Sequence, residues 1–257
     1  MTLVSPAPQS GSTGARMPAT RMTTPPRTTT QRVSTARPRT RDGLARPKTG
    51  EVRVRVGALG LSSLGVQAAG LISAVGPEAG GFAPGDRVSY RTDLDRVATA
   101  EKHLSLVVPE RDLIGFPKDV AVESAAAYLP LGLVARTVVK QLNSVGRGNR
   151  VAVAPDPSGA HHFVAAWVTD LGATVVEPGD TSADVVISAS DYATAMRWRY
   201  ANGLLQIAAA DVFAEVRRGV FDDIEVTTYS FADADRARSE FARRESTTPV
   251  ILLPEAA

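Results

Sequence analysis

Polar and apolar side chains alternate through residues 51–56, EVRVRV, the period-two pattern of a strand with one buried face. Three more strands are predicted behind it. These are GLISAVG at 70–76, the segment fed by the Pro-Gly-Asp turn of GFAPGDRVSY at 81–90, and HLSLVVP at 103–109. Short connections containing Gly and Pro join them, as in a small barrel-like domain. From 124 to 141, SAAAYLPLGLVARTVVKQ, the period becomes helical, with an interruption expected at Pro130. VGRGNRVAVA, 145–154, is a turn into a strand. The chain then alternates: strand 150–154, helix 160–171, strands 173–177 and 184–188, helix 190–201, strand 203–208, helix 209–218. A strand at 224–229, a helix at 232–244 and the apolar PVILL at 249–253 close it. Such alternation predicts an α/β sheet.

Only PGDTSA separates the strand ending near Glu177 from the one beginning near Asp184. A crossover between adjacent parallel strands takes about a dozen residues. The two are therefore expected to pair as an antiparallel hairpin, or one of them to turn away from the sheet.

The 257 residues suffice for one large domain or two small ones. The net charge of +2 conceals an asymmetry: residues 1–50 hold nine Arg or Lys against the single acid Asp42, so the rest of the chain is acidic. The body is thus not expected to bind nucleic acid. Cysteine is absent, which excludes disulfides, thiolate metal ligands and thiol nucleophiles. With His103, His161 and His162 the only imidazoles, no metal site is expected. No stretch is expected to supply the roughly 18 apolar residues that span a bilayer. The N-terminus lacks the apolar stretch of a secretory signal, so a cytoplasmic protein with no membrane association is expected. Residues 1–48, with seven prolines and mostly Thr, Arg and Ser, offer no period and little area to bury. They are expected to form a disordered basic tail.

Candidate chemistry gathers in one turn. VAVAPDPSGAHHFVAAWVTDLGATVVE, 151–177, reads strand, turn, helix, strand, the entrance to a nucleotide-binding fold. Such a turn is rich in glycine so that its backbone can approach a pyrophosphate at the helix N-terminus. Here Pro155-Asp156-Pro157-Ser158-Gly159-Ala160-His161-His162 holds one glycine and two residues without an amide hydrogen. Asp156 is a candidate proton acceptor and His161 or His162 a candidate phosphate contact. The plainer alternatives are an aspartate that stabilises its own turn and two histidines that open a helix. In MRWRY, 196–200, a helical Trp198 would pack while Arg197 and Arg199 face water.

The segments GEVRVRVGALGLS (50–62), AAGLISAVGPEAGGFAPGDRV (68–88), ESAAAYLPLGLVA (123–135), GNRVAVA (148–154) and LGATVV (171–176) occur in a telling order. With the ending YSFADADRARSEFARRESTTPVILL, they resemble the zinc-free quinone oxidoreductase and enoyl reductase branch of the medium-chain dehydrogenase/reductase superfamily. The resemblance implies an α/β fold in two parts: a GroES-like β-rich domain from 49–128 and the returning 221–257, and a Rossmann-like domain shortened to 129–220. It implies NADPH or NADH as cofactor, no zinc, and hydride transfer to a quinone or an α,β-unsaturated carbonyl compound as the small hydrophobic substrate. It also implies a homodimer formed at the Rossmann sheet edge. Carried onto this chain, Ser158, Gly159 and Ala160 would line the phosphates and Glu177 would face a ribose diol. Ser62, Tyr90 and Tyr128 would face the interdomain cleft, so Ser62 and Tyr90 join Asp156 and His161 as catalytic candidates.

The chain departs from that pattern in three places. Ser158 and His161 stand where the family has glycines. Material between 177 and 184 is missing. The first half is shortened around LGLSSLGVQAAG, where Ser62 and Gln67 stand at Asn and Glu positions, and Val134 replaces a threonine near the nicotinamide. Three functions are open: an NAD(P)H-dependent reductase, a cofactor-free relative performing a cyclisation or isomerisation on a polyketide-like intermediate, and a non-catalytic scaffold or partner.

Overall fold

The chain is ordered as β1 (Glu51–Ser62), β2 (Gly65–Val75), β3 (Arg87–Thr92), α1 (Leu94–Ala98), β4 (Ser105–Pro109), β5 (Ile114–Gly115), α2 (Val122–Arg136), β6 (Arg150–Val153), α3 (Ala160–Asp170), β7 (Thr174–Val176), β8 (Val185–Ile187), α4 (Ala189–Arg197), α5 (Leu204–Arg217), β9 (Thr227–Ser230), α6 (Ala234–Ala242) and β10 (Val250–Leu253). This computed structural model describes residues 44–98, 104–200, 203–243 and 247–254. The expected tail up to residue 43, and His103, lie outside the described residues. Residues 44–48 of that tail lie within them, and Pro47 is buried.

Strand β1 runs twice as far as the alternation at 51–56 predicts. Val52, Val54 and Val56 face one core, and beyond them both faces are covered because α2 lies across the strand. Gly57 and Gly60 lie within this extension. Gly60 marks a close approach of two backbones, where a Cβ would stand 2.0 Å from the Ala126 carbonyl oxygen, while Gly57 faces the Val122 side chain. That carbonyl is the one left without a helical partner by Pro130, four residues on, which has no amide hydrogen. The expected interruption of the helix therefore does not occur. Pro130 is buried inside α2, and the freed carbonyl is aimed at the hydrogen side of a glycine.

A π-helical run, Thr137–Leu142, prolongs α2, so that Val122–Leu142 is 21 residues of continuous helix. Its most apolar window has a mean hydropathy of 1.3, long and apolar enough by length and composition to cross a bilayer, contrary to the sequence expectation. Of that window 67% is buried inside the fold, as in a core helix.

The first sheet has the order β5-β3-β2-β1-β10-β9, and β4 also pairs with β1. The far edge of β1 is shared: β4 takes residues 51–55 and β10 residues 59–61. Register shifts at Arg53/Val54 and Val56/Ala58 bend the β1–β2 pair into this split arrangement. The chain's last two strands thus close a sheet begun by its first.

The second sheet is three-stranded, β7-β6-β8, and parallel throughout. Neither the hairpin nor the strand turned away is found. β7 and β8 stand on opposite sides of β6, so the short link never has to join adjacent strands. It is the 2-1-4 centre of the doubly wound order 3-2-1-4-5-6. Arg150 secures the link: its amide donates to Asp184 Oδ2 at 2.8 Å, its Nε to Ser182 Oγ at 2.9 Å and its Nη2 to Asp180 Oδ2 at 3.1 Å.

Two further expectations are corrected. Residues 204–208 are the first turn and a half of α5, not a strand. The buried Ala208, Ala209, Val212 and Phe213 recur at helical spacing, which the short apolar run LLQIAAA could not reveal by itself. Helix α4 stops at Arg197, so Trp198 and Arg199 lie in an irregular segment rather than on a helix. One core fills the inside of the first sheet, and another gathers α2, α3, α5 and the second sheet.

Candidate functional site

Strand β6 delivers the chain into the turn at 154–159, and Gly159, with φ +81°, starts α3. The turn closes on itself. The buried Asp156 carboxylate accepts from the Ser158 amide at 3.0 Å and from the Ser158 hydroxyl. The same hydroxyl accepts from the Ala160 amide at 3.3 Å. An anion already stands at the helix N-terminus, relayed through a serine, where a pyrophosphate would be drawn. Gly159 is committed as well: a Cβ there would stand 1.7 Å from the backbone carbonyl oxygen of Thr247, the segment that leads into β10. His162 Nε2 lies 3.4 Å from Thr247 Oγ1 on the same contact.

The histidines take local roles. His161 Nδ1 lies 3.1 Å from the Asp156 amide nitrogen and 3.0 Å from its carbonyl oxygen, so it touches the backbone of Asp156 and not its carboxylate. The two imidazoles stack at 4.0 Å between centroids. Burial, then the His161 charge, hold His162 below the usual imidazole range. Both histidines line an open hollow of about 470 Å³ with Glu177, which is exposed just past β7, and Asp180. Among the described residues no group of three His, Asp or Glu side chains is placed to hold a metal ion.

A nicotinamide dinucleotide does not fit this turn. The space that close approach of a phosphate needs at Gly159 holds the Thr247 carbonyl. Pro155 and Pro157 offer no donor, and Asp156 would repel the pyrophosphate it replaces.

The other candidates disperse. Tyr90 is 1% exposed inside the first sheet, its hydroxyl without a partner among the described residues, and burial pushes it far above the usual phenol range. It packs in the core and does not face a cleft. Tyr128 is also absent from the cleft: its ring packs on Phe163 and Phe221 at 5.9 and 6.0 Å, and burial, then Asp222, raise its pKa. Ser62 does reach the cleft, but its hydroxyl donates to the Gly65 carbonyl at 3.2 Å and accepts from the Leu64 amide at 3.2 Å. It closes the β1–β2 hairpin. Gln67 is buried, with Nε2 donating to Ser89 Oγ at 2.8 Å.

The cleft itself is a largely apolar hollow beside α2, about 550 Å³. Pro130, Leu133, Val134 and Thr137 of the α2 rod form one wall, and the β1–β2 hairpin forms another. The segment 198–200 completes it. Sequence reasoning missed its polar pair. Thr137 Oγ1 lies 2.6 Å from the Tyr200 hydroxyl and donates to the Leu133 carbonyl at 2.9 Å. The available signal was spacing: Thr137 is i+3 from Val134, so the helix presents a hydroxyl on the face from which the threonine at 134 is missing. No residue of the phosphate turn lines this cleft.

No protein-family model matches the chain. A quinone oxidoreductase of Pseudomonas aeruginosa is 31% identical over 150 residues, 51% of this chain and 45% of that protein. A 2-haloacrylate reductase of a Burkholderia species is 27% identical over 153 residues, again 51% and 45%. The chain spans about half the length of the curated relatives it matches. The crystal structure of Escherichia coli quinone oxidoreductase complexed with NADPH superposes with a TM-score of 0.57 at 17% identity, covering 82% of this chain and 93% of that one. The chain is thus similar to the zinc-free quinone oxidoreductase and enoyl reductase branch in sequence, and it has the α/β fold of that branch.

Proposed function

We propose that this medium-chain reductase-like chain takes a small, largely apolar carbonyl compound, a quinone or an α,β-unsaturated carbonyl compound, into the cleft beside α2. The observation that carries the reading is the Thr137–Tyr200 pair on an otherwise apolar wall. The Tyr200 hydroxyl lies 2.6 Å from Thr137 Oγ1 and also donates to the Leu133 carbonyl at 3.4 Å, the longer of the two hydroxyl bonds to that carbonyl, and it can exchange this long bond for a ligand carbonyl oxygen. The relatives' names favour this ligand class: one is a quinone oxidoreductase, another acts on 2-haloacrylate. The chain's own phosphate turn does not supply a seat for the dinucleotide, so no hydride step is assigned to it.

Isothermal titration with 1,4-naphthoquinone and, separately, with NADPH and NADH tests the reading. The quinone is expected to bind and Tyr200→Phe to weaken it several-fold. Neither dinucleotide is expected to give heat up to about 1 mM, the regime of negligible affinity. Absence of quinone binding would remove the proposal. A second reading, an NADH-dependent reductase of the same compounds, is favoured by one observation: Glu177 stands just past β7, where an acid grips a ribose diol. Micromolar NADH binding lost in Glu177→Gln would put that reading first.

A further inference from the structure

The mouth of the cleft is cationic in a way its apolar walls do not require. Arg91, Arg111 and Arg199 line it, and Asp112 is the one carboxylate among the lining residues. Asp112 lies 3.8 Å from Arg111 and offsets that charge alone. The Arg91 guanidinium donates to the Leu64 carbonyl, which holds it against the hairpin, and Arg199 donates to the Trp198 carbonyl at 3.2 Å. Among the described residues neither of these two meets a carboxylate. Each spends one N–H on a backbone carbonyl and keeps the rest of its donor fork for another acceptor.

From this arrangement, and resting on the reading of the cleft as the ligand site, we infer that the ligand is an amphipathic anion. Its planar apolar body lies along Leu133 and Val134, and its single carboxylate or comparable oxyanion is held at the mouth by Arg91 and Arg199. A neutral quinone uses only the walls. An anionic one also gains two charge-assisted contacts at a site that is already cationic. Two guanidiniums held by backbone carbonyls lose little freedom on binding, which favours a fork-on-carboxylate geometry over a diffuse attraction.

A matched pair of probes tests this: 1,4-naphthoquinone and 1,4-naphthoquinone-2-sulfonate, titrated into the full chain. Quenching of Trp198 is the readout. Trp198 is 38% exposed on the cleft, whereas Trp167 is fully buried, and the chain has two tryptophans. Trp198→Phe should therefore abolish the signal. At about 20 mM salt the sulfonate is expected to bind at least about tenfold tighter than the neutral quinone, and the advantage to shrink at about 500 mM. Arg199→Gln and Arg91→Gln should each lower the ratio of the two affinities several-fold. Arg91 also pins the hairpin, so Arg199→Gln decides if the other variant folds poorly. If the neutral quinone binds and the sulfonate binds no better, the anionic class is wrong while the cleft stands as a ligand site. If neither probe quenches Trp198, the cleft reading fails and this inference with it.

Discussion

Gly159 can be asked what it is for. In a turn that cradles phosphate, a methyl group there would block the ligand and leave the fold intact. Here it would strike the chain itself. Alanine at φ +81° costs about 1–2 kcal/mol for the left-handed backbone. Its Cβ would stand 1.7 Å from the Thr247 carbonyl, so segment 247–249 must retreat by roughly 1.5 Å to reach ordinary contact. That segment carries the Pro249 carbonyl, which accepts from the Thr227 amide at 2.9 Å and starts the β9–β10 pairing. Overpacking of this kind costs about 1–3 kcal/mol more. Gly148 is the control: its φ is +82°, and a Cβ there meets nothing within 4 Å. Gly148→Ala should thus show the backbone cost alone, a few degrees of melting temperature, at about 2–4 °C per kcal/mol. Gly159→Ala should melt about 2–12 °C below it. Thermal and urea unfolding of the two variants decide the matter. If they unfold together, Thr247 does not press on Gly159 and the turn is open to a ligand.

Three other outcomes are expected. Asp156→Ala should lose about 1–3 kcal/mol in urea unfolding, because it strips the acceptor from the Ser158 amide and hydroxyl. His162 has a folded-state pKa below its ordinary 6.5, so the unfolded chain binds more protons in that range: stability should decline as pH falls through 6.5, and His162→Gln should reduce that decline in pH-dependent melts. A Cβ on Gly132 would meet Val212 Cγ1 at 2.5 Å across the α2–α5 contact. Gly132→Ala should therefore destabilise by about 1–2 kcal/mol, and adding Val212→Ala should cost less than the sum of the two single changes in a double-mutant cycle.

Much of the architecture was legible in the sequence, because strand alternation and the strand–turn–helix of 151–177 are set by local chemistry. What escaped was set by pairs of distant residues. GALG lies beyond the alternation at 51–56 and joins the strand only once α2 is laid across it, and Pro130 reads as a break until Gly60 is seen beneath the carbonyl it frees. The parallel order β7-β6-β8 was hidden because spacing restricts only strands that are neighbours. LLQIAAA is apolar enough for strand or helix, and only the partners of Ala208 and Val212 decide. The loss of glycine in the turn was visible, but not that Asp156 and Thr247 would fill the place. Ser62 lines the cleft while Tyr90 is buried in the first sheet's core, because mapping gives a position along a strand and no orientation. Thr137 and Tyr200 meet across 63 residues of chain, and no local pattern announces that.

The rod at 122–142 belongs to both halves of the molecule: its α2 segment rests on β1 and β2 and also on α3 and α5. With the Ala126 carbonyl against Gly60 and Gly132 against Val212, it has no slack on either side. A body joined this way is expected to behave as one cooperative unit across its two sheets. Heating should melt both in one calorimetric transition, with the van't Hoff and calorimetric enthalpies in agreement. If the cleft takes a ligand as proposed, its aperture would then be a fixed dimension, and ligands would be selected on entry, by width and charge, rather than by a closing motion afterwards.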